Sequence, residues 1–373
     1  MDAEPRIWLT RPQTDESEIA EIREVLASGT LTQGPKVAAL EAMVAELVGS
    51  THAFATTSAT TALHLSLVAA GIGPGDEVLV PDFTFPATAN VVVQQGAVPV
   101  LVDIDIETFA MDAGDLERRV TPRARALMPV HPFGLPADME PILAVADRHG
   151  LAVIEDAACA LGATYRDRQA GSFGLAGCFS FHPRKSITTG EGGMITTSDA
   201  ALADRIQLLR SHGGVREGGR FRFEAAGFNY RLSDILAAVG VAQMRKLDAF
   251  LAARRRVAGW YDRALNGLDG VRRPIVPAGT THTYQSYVVL LDEGLDRDAV
   301  IAALRADGIE STLGTYALHD QPFFAREYGL HPGDRPASHR AFTGSLALPL
   351  HGGMVESEVA EVADALRGAL GAS

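Results

Sequence analysis

Between Glu77 and Asp156 the chain alternates short apolar runs with helical stretches, and this alternation constrains the fold more than any other feature. The runs Glu77–Pro81, Val98–Asp103, Ala124–His131 and Leu151–Asp156 read as strands, with helices over Pro86–Gln95 and Pro141–His149. Strands that are apolar nearly throughout, rather than at every second residue, are buried on both faces. With helices between them they build an α/β fold: a mainly parallel central sheet flanked by helices. Functional groups in such a sheet gather beyond the carboxyl ends of its strands. His131 and Asp156 both lie there.

The flanking segments extend this pattern. Residues 15–49 predict two helices split by a Gly- and Pro-containing turn at 29–35. The stretch Phe54–Thr61 leads into a helix, with Ser58 and Thr60 as natural capping residues at its start. Cys178–Phe181 and Met194–Thr197 read as strands, and Asp199–Ser211 as a helix. Residues 213–227, rich in Gly and Arg, predict a long, partly mobile loop. Gly227–Asp234 opens a helix to about Leu247, and another follows to about Leu268. Its Arg254-Arg255-Arg256 cluster reads as a solvated face. Beyond it come strands at Tyr284–Asp292, Glu310–Leu313 and Leu346–Leu350, and helices at Asp296–Asp307 and Glu356–Leu370. That change of pattern marks a smaller α+β C-terminal domain, so residues 1–248 form the large domain and 249–373 the small one.

Composition narrows the classes of function. Acidic residues outnumber basic ones by 46 to 33, for a net charge of −13. That balance argues against non-specific nucleic-acid binding. No apolar stretch approaches the roughly 18 residues of a membrane span, and the polar, acidic start has no signal-peptide core. Cys159 and Cys178 fall in core-like segments and suit free thiols in a reducing compartment. The expectation is a soluble cytoplasmic protein with neither nucleic-acid nor membrane partners.

The chemistry centres on residues 178–197, CFSFHPRKSITTGEGGMITT. The first strand breaks at His182-Pro183 and presents Arg184 and Lys185. A glycine-rich turn, Gly190 to Gly193, then enters the second strand. A lysine held by turns at the edge of a buried sheet can have a low pKa and attack carbonyls. Three other features fit one cofactor. A helix start with small hydroxyls suits a phosphate. The strand-end carboxylate of Asp156 suits a protonated pyridine nitrogen, and Phe85 suits the face of a ring. Pyridoxal phosphate uses all of these parts. No metal-ligand spacing stands out.

These segments also carry a resemblance. The stretches TSATTALHLSL, PDFTFPATAN, PVHPFGLPADM, VIEDAACALGA, FSFHPRKSITTGEGG, GFNYRLSDILAAVG and LALPLHGGM, in this order, span nearly the whole chain. The chain resembles the DegT–DnrJ–StrS family of pyridoxal-phosphate-dependent sugar aminotransferases, which have the aspartate aminotransferase (type I) fold. The resemblance implies that Lys185 forms the Schiff base and shuttles the proton, that Asp156 pairs with the pyridine nitrogen and that Phe85 stacks on the ring. It implies phosphate contacts from Ala59, through its backbone, and from Thr60 and Ser180. Asn229 matches an asparagine that reaches the neighbouring subunit's phosphate, which implies a homodimer with shared active sites. Asn229 is equally placed to cap the next helix. His131, Tyr316 and His319 occupy positions where the family meets its substrate. Cys159 stands where Gln or His is usual near the cofactor's phenolic oxygen, and Arg184 where a small residue is usual. Gly314–His319 departs from the commoner Tyr-x-x-Pro-x-His pattern.

The implied activity is a ping-pong transfer of an amino group from glutamate or glutamine to a ketone of a nucleotide-linked deoxysugar. Arg184, Arg220, Arg222 and Arg231 are candidates for its diphosphate. A keto-cyclitol aminotransferase of aminoglycoside biosynthesis is the alternative. A sugar dehydratase of the same family would replace Lys185 by histidine. A regulator on this fold would carry an added DNA-binding module, whereas the enzyme pattern uses nearly every residue here. A dinucleotide-dependent oxidoreductase would want Gly-x-Gly-x-x-Gly after the first strand, where Ser58-Ala59-Thr60 stands.

Overall fold

The computed structural model describes residues 4–371. Two N-terminal helices, α1 (Glu16–Ser28) and α2 (Pro35–Val48), precede strand β1 (His52–Thr56) and helix α3 (Ala59–Ala69). The chain then gives β2 (Glu77–Pro81), α4 (Ala87–Gln94), β3 (Val98–Val102), β4 (Ala124–Leu127), α5 (Met139–His149) and β5 (Ala152–Asp156). Strands β6 (Ala176–Ser180) and β7 (Gly193–Thr197) bracket the lysine segment, and α6 (Ala200–Arg210) follows. These strands form one seven-stranded sheet in the order β1-β7-β6-β5-β4-β2-β3. Only β7 is reversed: it pairs antiparallel with both β1 and β6, while the other neighbours pair parallel.

One apolar core lies on each face of this sheet. Leu63, Leu67, Val78, Val91, Ile154 and Ile195 pack with α3 and α4 on one side. On the β1-β7-β6 side, Leu40, Phe179, Met194 and Val241 pack with α2 and the helix α7 (Asp234–Arg245) on the other. Residues 213–227 are not the expected loop. They form a hairpin, β8 (Gly214–Glu217) and β9 (Arg220–Phe223), turned at Gly218 and Gly219, both at positive φ. A Gly-Gly pair is a hairpin turn signal, and here it decides the local structure over the arginine-rich composition.

Helix α8 (Leu247–Ala264) joins the two halves of the molecule. Its first turns put Leu247 and Leu251 into the core around Phe179, whereas Val257, Ala258 and Tyr261 enter a separate C-terminal core. That second core is built on an antiparallel sheet of Val271–Arg272, Tyr287–Leu291, Ser345–Leu348 and Thr312–Leu313, with helices Arg297–Ala306 and Glu356–Gly371. Packing does not follow a single cut at residue 248. Ile7 belongs to the C-terminal core, and the backbone of Leu9 accepts from Leu350 N at 3.0 Å. Among the described residues no helix is long and apolar enough to cross a membrane.

Leu251 fills the space beside Gly162 so closely that a Cβ on that glycine would lie 2.6 Å from Leu251 Cδ1. Leu251→Ala is expected to lower the unfolding free energy by about 2–5 kcal/mol, read from denaturant midpoints. A loss under about 0.5 kcal/mol would show that this leucine does not dock α8.

Candidate active site

The reversed strand β7 creates the site. Its first residue, Gly193, lies between Thr56 at the end of β1 and Ser180 at the end of β6. Helix α3 begins directly above this row. Ser58 caps it by accepting from Thr61 N, and Thr61 Oγ1 returns to Ser58 N at 3.0 Å. This reciprocal cap leaves the N–H groups of Ala59 and Thr60 without helical acceptors. A Cβ on Gly193 would stand 2.4 Å from the carbonyl carbon of Ser58 and 2.6 Å from Ala59 N. Only glycine permits that approach. The helix start is therefore held against the sheet with two N–H groups that lack helical acceptors, as at an anion-binding helix start.

Two carboxylates stand at the end of β5. Glu155 is fully buried and accepts from Gly171 N, Phe173 N and Gly174 N at 2.6–2.8 Å, with His131 Nε2 at 3.0 Å. Among the described residues Asp156 accepts only from Thr88 Oγ1, at 2.7 Å, and from Ala158 N, at 3.2 Å. Thr88 in turn contacts Thr84 Oγ1 at 3.0 Å. Sequence reasoning missed Thr88; its i, i+4 spacing from Thr84 at a helix start was the available signal.

Lys185 stands on a loop closed at its base by Thr189 N, which donates to the Phe181 carbonyl at 2.9 Å. Its Nζ donates to Cys159 Sγ at 3.1 Å, three residues beyond Asp156. The Lys185 amine thus meets the segment that follows the β5 carboxylate. Phe85, 66% exposed, stands at the end of the segment leading into α4 and has no ring partner among the described residues. Tyr316 and Ala317 pair as a short strand with Thr84 and Phe83, which brings half-buried Tyr316 beside the Phe85 segment.

Other candidates lie elsewhere. His131 is fully buried, with Nδ1 accepting from Ala137 N at 3.0 Å and Nε2 on Glu155, so both ring nitrogens serve the core. His319 is also fully buried, with Nδ1 2.6 Å from Asp82 Oδ2 and Nε2 3.2 Å from the Pro332 carbonyl. Neither histidine presents a free nitrogen to a substrate. Burial works against a charge on His319, yet Asp82 outweighs it and raises the pKa. Arg184 is exposed, and Arg222 pairs with Glu224 and Glu217. Arg231 donates to Ser211 Oγ at 2.9 Å. Asn229 is exposed and does not cap α7; Ser233 does. Both cysteines are free, and burial pushes the Cys178 thiol up. Arg254 is not on a solvated face: it is 5% exposed, and its guanidinium donates to the Lys185 carbonyl at 3.3 Å.

A lysine on a rigid loop, together with a strand-end carboxylate and an anion cradle, is the apparatus of an α/β enzyme that handles carbonyls and amines. A family model described as the DegT/DnrJ/EryC1/StrS aminotransferase family matches residues 12–367. The GDP-perosamine synthase of Caulobacter vibrioides is 46% identical over 366 residues, 97% of this chain and 98% of that protein. The crystal structure of the aminotransferase TlmJ from Streptoalloteichus hindustanus is 35% identical, with a TM-score of 0.93 over 98% of this chain and 99% of that one. The PLP form of Spr1654 from Streptococcus pneumoniae is 27% identical, with a TM-score of 0.94 over 98% of this chain and 99% of that one. The chain belongs to the DegT/DnrJ/EryC1/StrS aminotransferase family.

Gly193→Ala is expected to weaken inorganic phosphate and pyridoxal phosphate binding at least about tenfold, since helix α3 must shift. Equal affinity in equilibrium titrations would mean that the α3 start is not the anion cradle. The His319–Asp82 pair predicts a pH dependence. A histidine pKa raised on folding stabilises fully below about 6.5. That contribution disappears as pH rises through the folded value. His319→Asn is expected to flatten this part of the stability curve, and an unchanged slope would remove the imidazolium.

Proposed function

We propose that this chain is a sugar aminotransferase that moves an amino group from glutamate or glutamine to a ketone of a nucleotide-linked deoxysugar, with pyridoxal phosphate as carrier. The observation that carries the reading is the contact of Lys185 Nζ with Cys159, three residues beyond the partly satisfied carboxylate of Asp156. The residues present fit the cofactor. The Gly193 cradle and the free N–H groups of Ala59 and Thr60 accept a phosphate, with the Thr60 and Ser180 hydroxyls beside them. Phe85 offers an exposed ring for stacking.

Pyridoxal phosphate supplies an aldehyde that exchanges amines and a ring that draws electrons from a neighbouring C–H bond. Lys185 Nζ is the nucleophile, and as a free amine it would move the proton between the substrate carbon and the cofactor carbon within each half-reaction. Asp156 holds a proton on the base that faces it, because Thr88 and Ala158 occupy only part of its acceptor capacity. Cys159 Sγ meets Lys185 where a stronger hydrogen-bond donor is usual in the family; a thiol donates only weakly. The name of the Caulobacter relative, a GDP-linked aminosugar synthase, supports a nucleotide sugar over a keto-cyclitol as acceptor. Asn229, exposed next to the β8–β9 hairpin, is assigned to the partner's phosphate in a homodimer.

The test is the visible absorbance of the purified protein. A yellow band is expected, bleached by glutamate or glutamine and restored by a nucleotide-linked keto-sugar. Lys185→Ala is expected to lose the band and at least about a hundredfold in turnover. Covalent cofactor retained in that variant would remove Lys185 from its role. A yellow protein that neither donor bleaches would overturn the donor assignment.

A further inference from the structure

Arg254 is a charged side chain buried without a carboxylate partner among the described residues. Burial lowers its pKa to about 10, which leaves it protonated at neutral pH. Its donors go to four carbonyls. Nη1 reaches Tyr284, Gln285 and Leu350 at 3.1, 3.2 and 3.4 Å, and Nη2 reaches Lys185 at 3.3 Å. A buried charge is costly unless fully hydrogen-bonded, and an apolar side chain of similar length would fill the space without that cost. What an apolar replacement cannot supply is the fork of N–H donors joining these four backbone positions.

The fork has a direction. Tyr284, Gln285 and Leu350 belong to the C-terminal half, and Lys185 to the loop between β6 and β7. Gln285, 9% exposed, adds a second tie, with Nε2 donating to the Arg184 carbonyl at 2.9 Å. The base of the lysine loop is fixed within the large sheet by Thr189 and by Thr188 Oγ1, which donates to Phe181 at 3.0 Å. At its apex the Lys185 N–H donates to the His182 carbonyl at 2.9 Å, while the carbonyls of Arg184 and Lys185 are held from the other half.

We propose that Arg254 is a positioning residue: by holding the Lys185 carbonyl from the C-terminal half, it sets where Nζ stands and so couples the seating of that half to the reactivity of the lysine. The proposal rests on Lys185 being the nucleophile. Misplacing a reacting group by an ångström costs about a hundredfold in rate, so a loosened carbonyl impairs covalent capture of an aldehyde. Groups that hold the phosphate and ring sit on other segments and are unaffected.

The test compares two probes on the full chain. Pyridoxal phosphate reports covalent capture by its absorbance, and 4′-deoxypyridoxine phosphate, which has no aldehyde, reports non-covalent binding alone. Arg254→Met is expected to weaken pyridoxal phosphate at least about tenfold and to slow development of the band, with the analogue unchanged within about twofold. Arg254→Lys keeps a charge and some donors, so it should recover part of the loss and guards against a Met variant that fails to fold. The proposal is overturned if both variants bind the two probes in the wild-type ratio, or lose both equally. A wild-type protein without a Lys185-dependent band removes the nucleophile, and the proposal with it.

Discussion

The backbone of Gly193 approaches Ser58 too closely for any side chain, and the site's geometry depends on it. Because β7 runs against its neighbours, its first residue rather than its last lies level with the ends of β1 and β6. That residue has no side chain, so the start of α3 settles onto the sheet with two N–H groups that lack helical acceptors. An all-parallel arrangement would have put the end of a strand there, followed by a connection over the same space. The reversal also makes β6 and β7 a hairpin, and the loop of that hairpin carries Lys185. The seating of the α3 start and the position of Lys185 are thus consequences of one topological choice.

The two halves of the molecule meet around the same loop. Helix α8 contributes Leu251 to one core and Tyr261 to the other, and Arg254 lies between them along one helix. A rigid helix anchored in both cores keeps the guanidinium in place where a flexible linker would not. Short strand pairs add further ties: Thr280–Thr281 with Thr164–Tyr165, and Tyr316–Ala317 with Phe83–Thr84. The segment bearing Phe85 is therefore registered by the C-terminal half as well.

Much of this was legible in the sequence because burial on both faces leaves an unambiguous mark. The four runs from Glu77 to Asp156 are strands within a few residues of their expected bounds, and Ser58 caps α3 as its residue type implies. What was not legible depends on partners distant in sequence. Nothing local distinguishes Arg254 from Arg255 and Arg256; the difference is that one position of α8 faces carbonyls at 284, 285 and 350. The expected strand to His131 stops at Leu127, and whether the ring of His131 turns inward depends on Glu155 and Ala137. The Gly- and Arg-rich composition of 213–227 concealed a hairpin whose signal was the Gly218-Gly219 pair.

Glu155 and Asp156 show how hydrogen-bond capacity separates a structural carboxylate from an available one. Adjacent strand residues project to opposite faces, so the pair cannot share an environment although both are buried. A carboxylate offers about four lone-pair sites. Glu155 fills them with three backbone N–H groups and His131, and nothing further can bind it without displacing the Gly171–Gly174 turn. Asp156 receives one hydroxyl and one N–H, one on each oxygen, which leaves acceptor capacity on its open side. Unused acceptor capacity on a buried carboxylate is costly unless a further donor satisfies it. The lone pairs of Asp156, unlike the filled ones of Glu155, therefore leave it able to accept from a further donor.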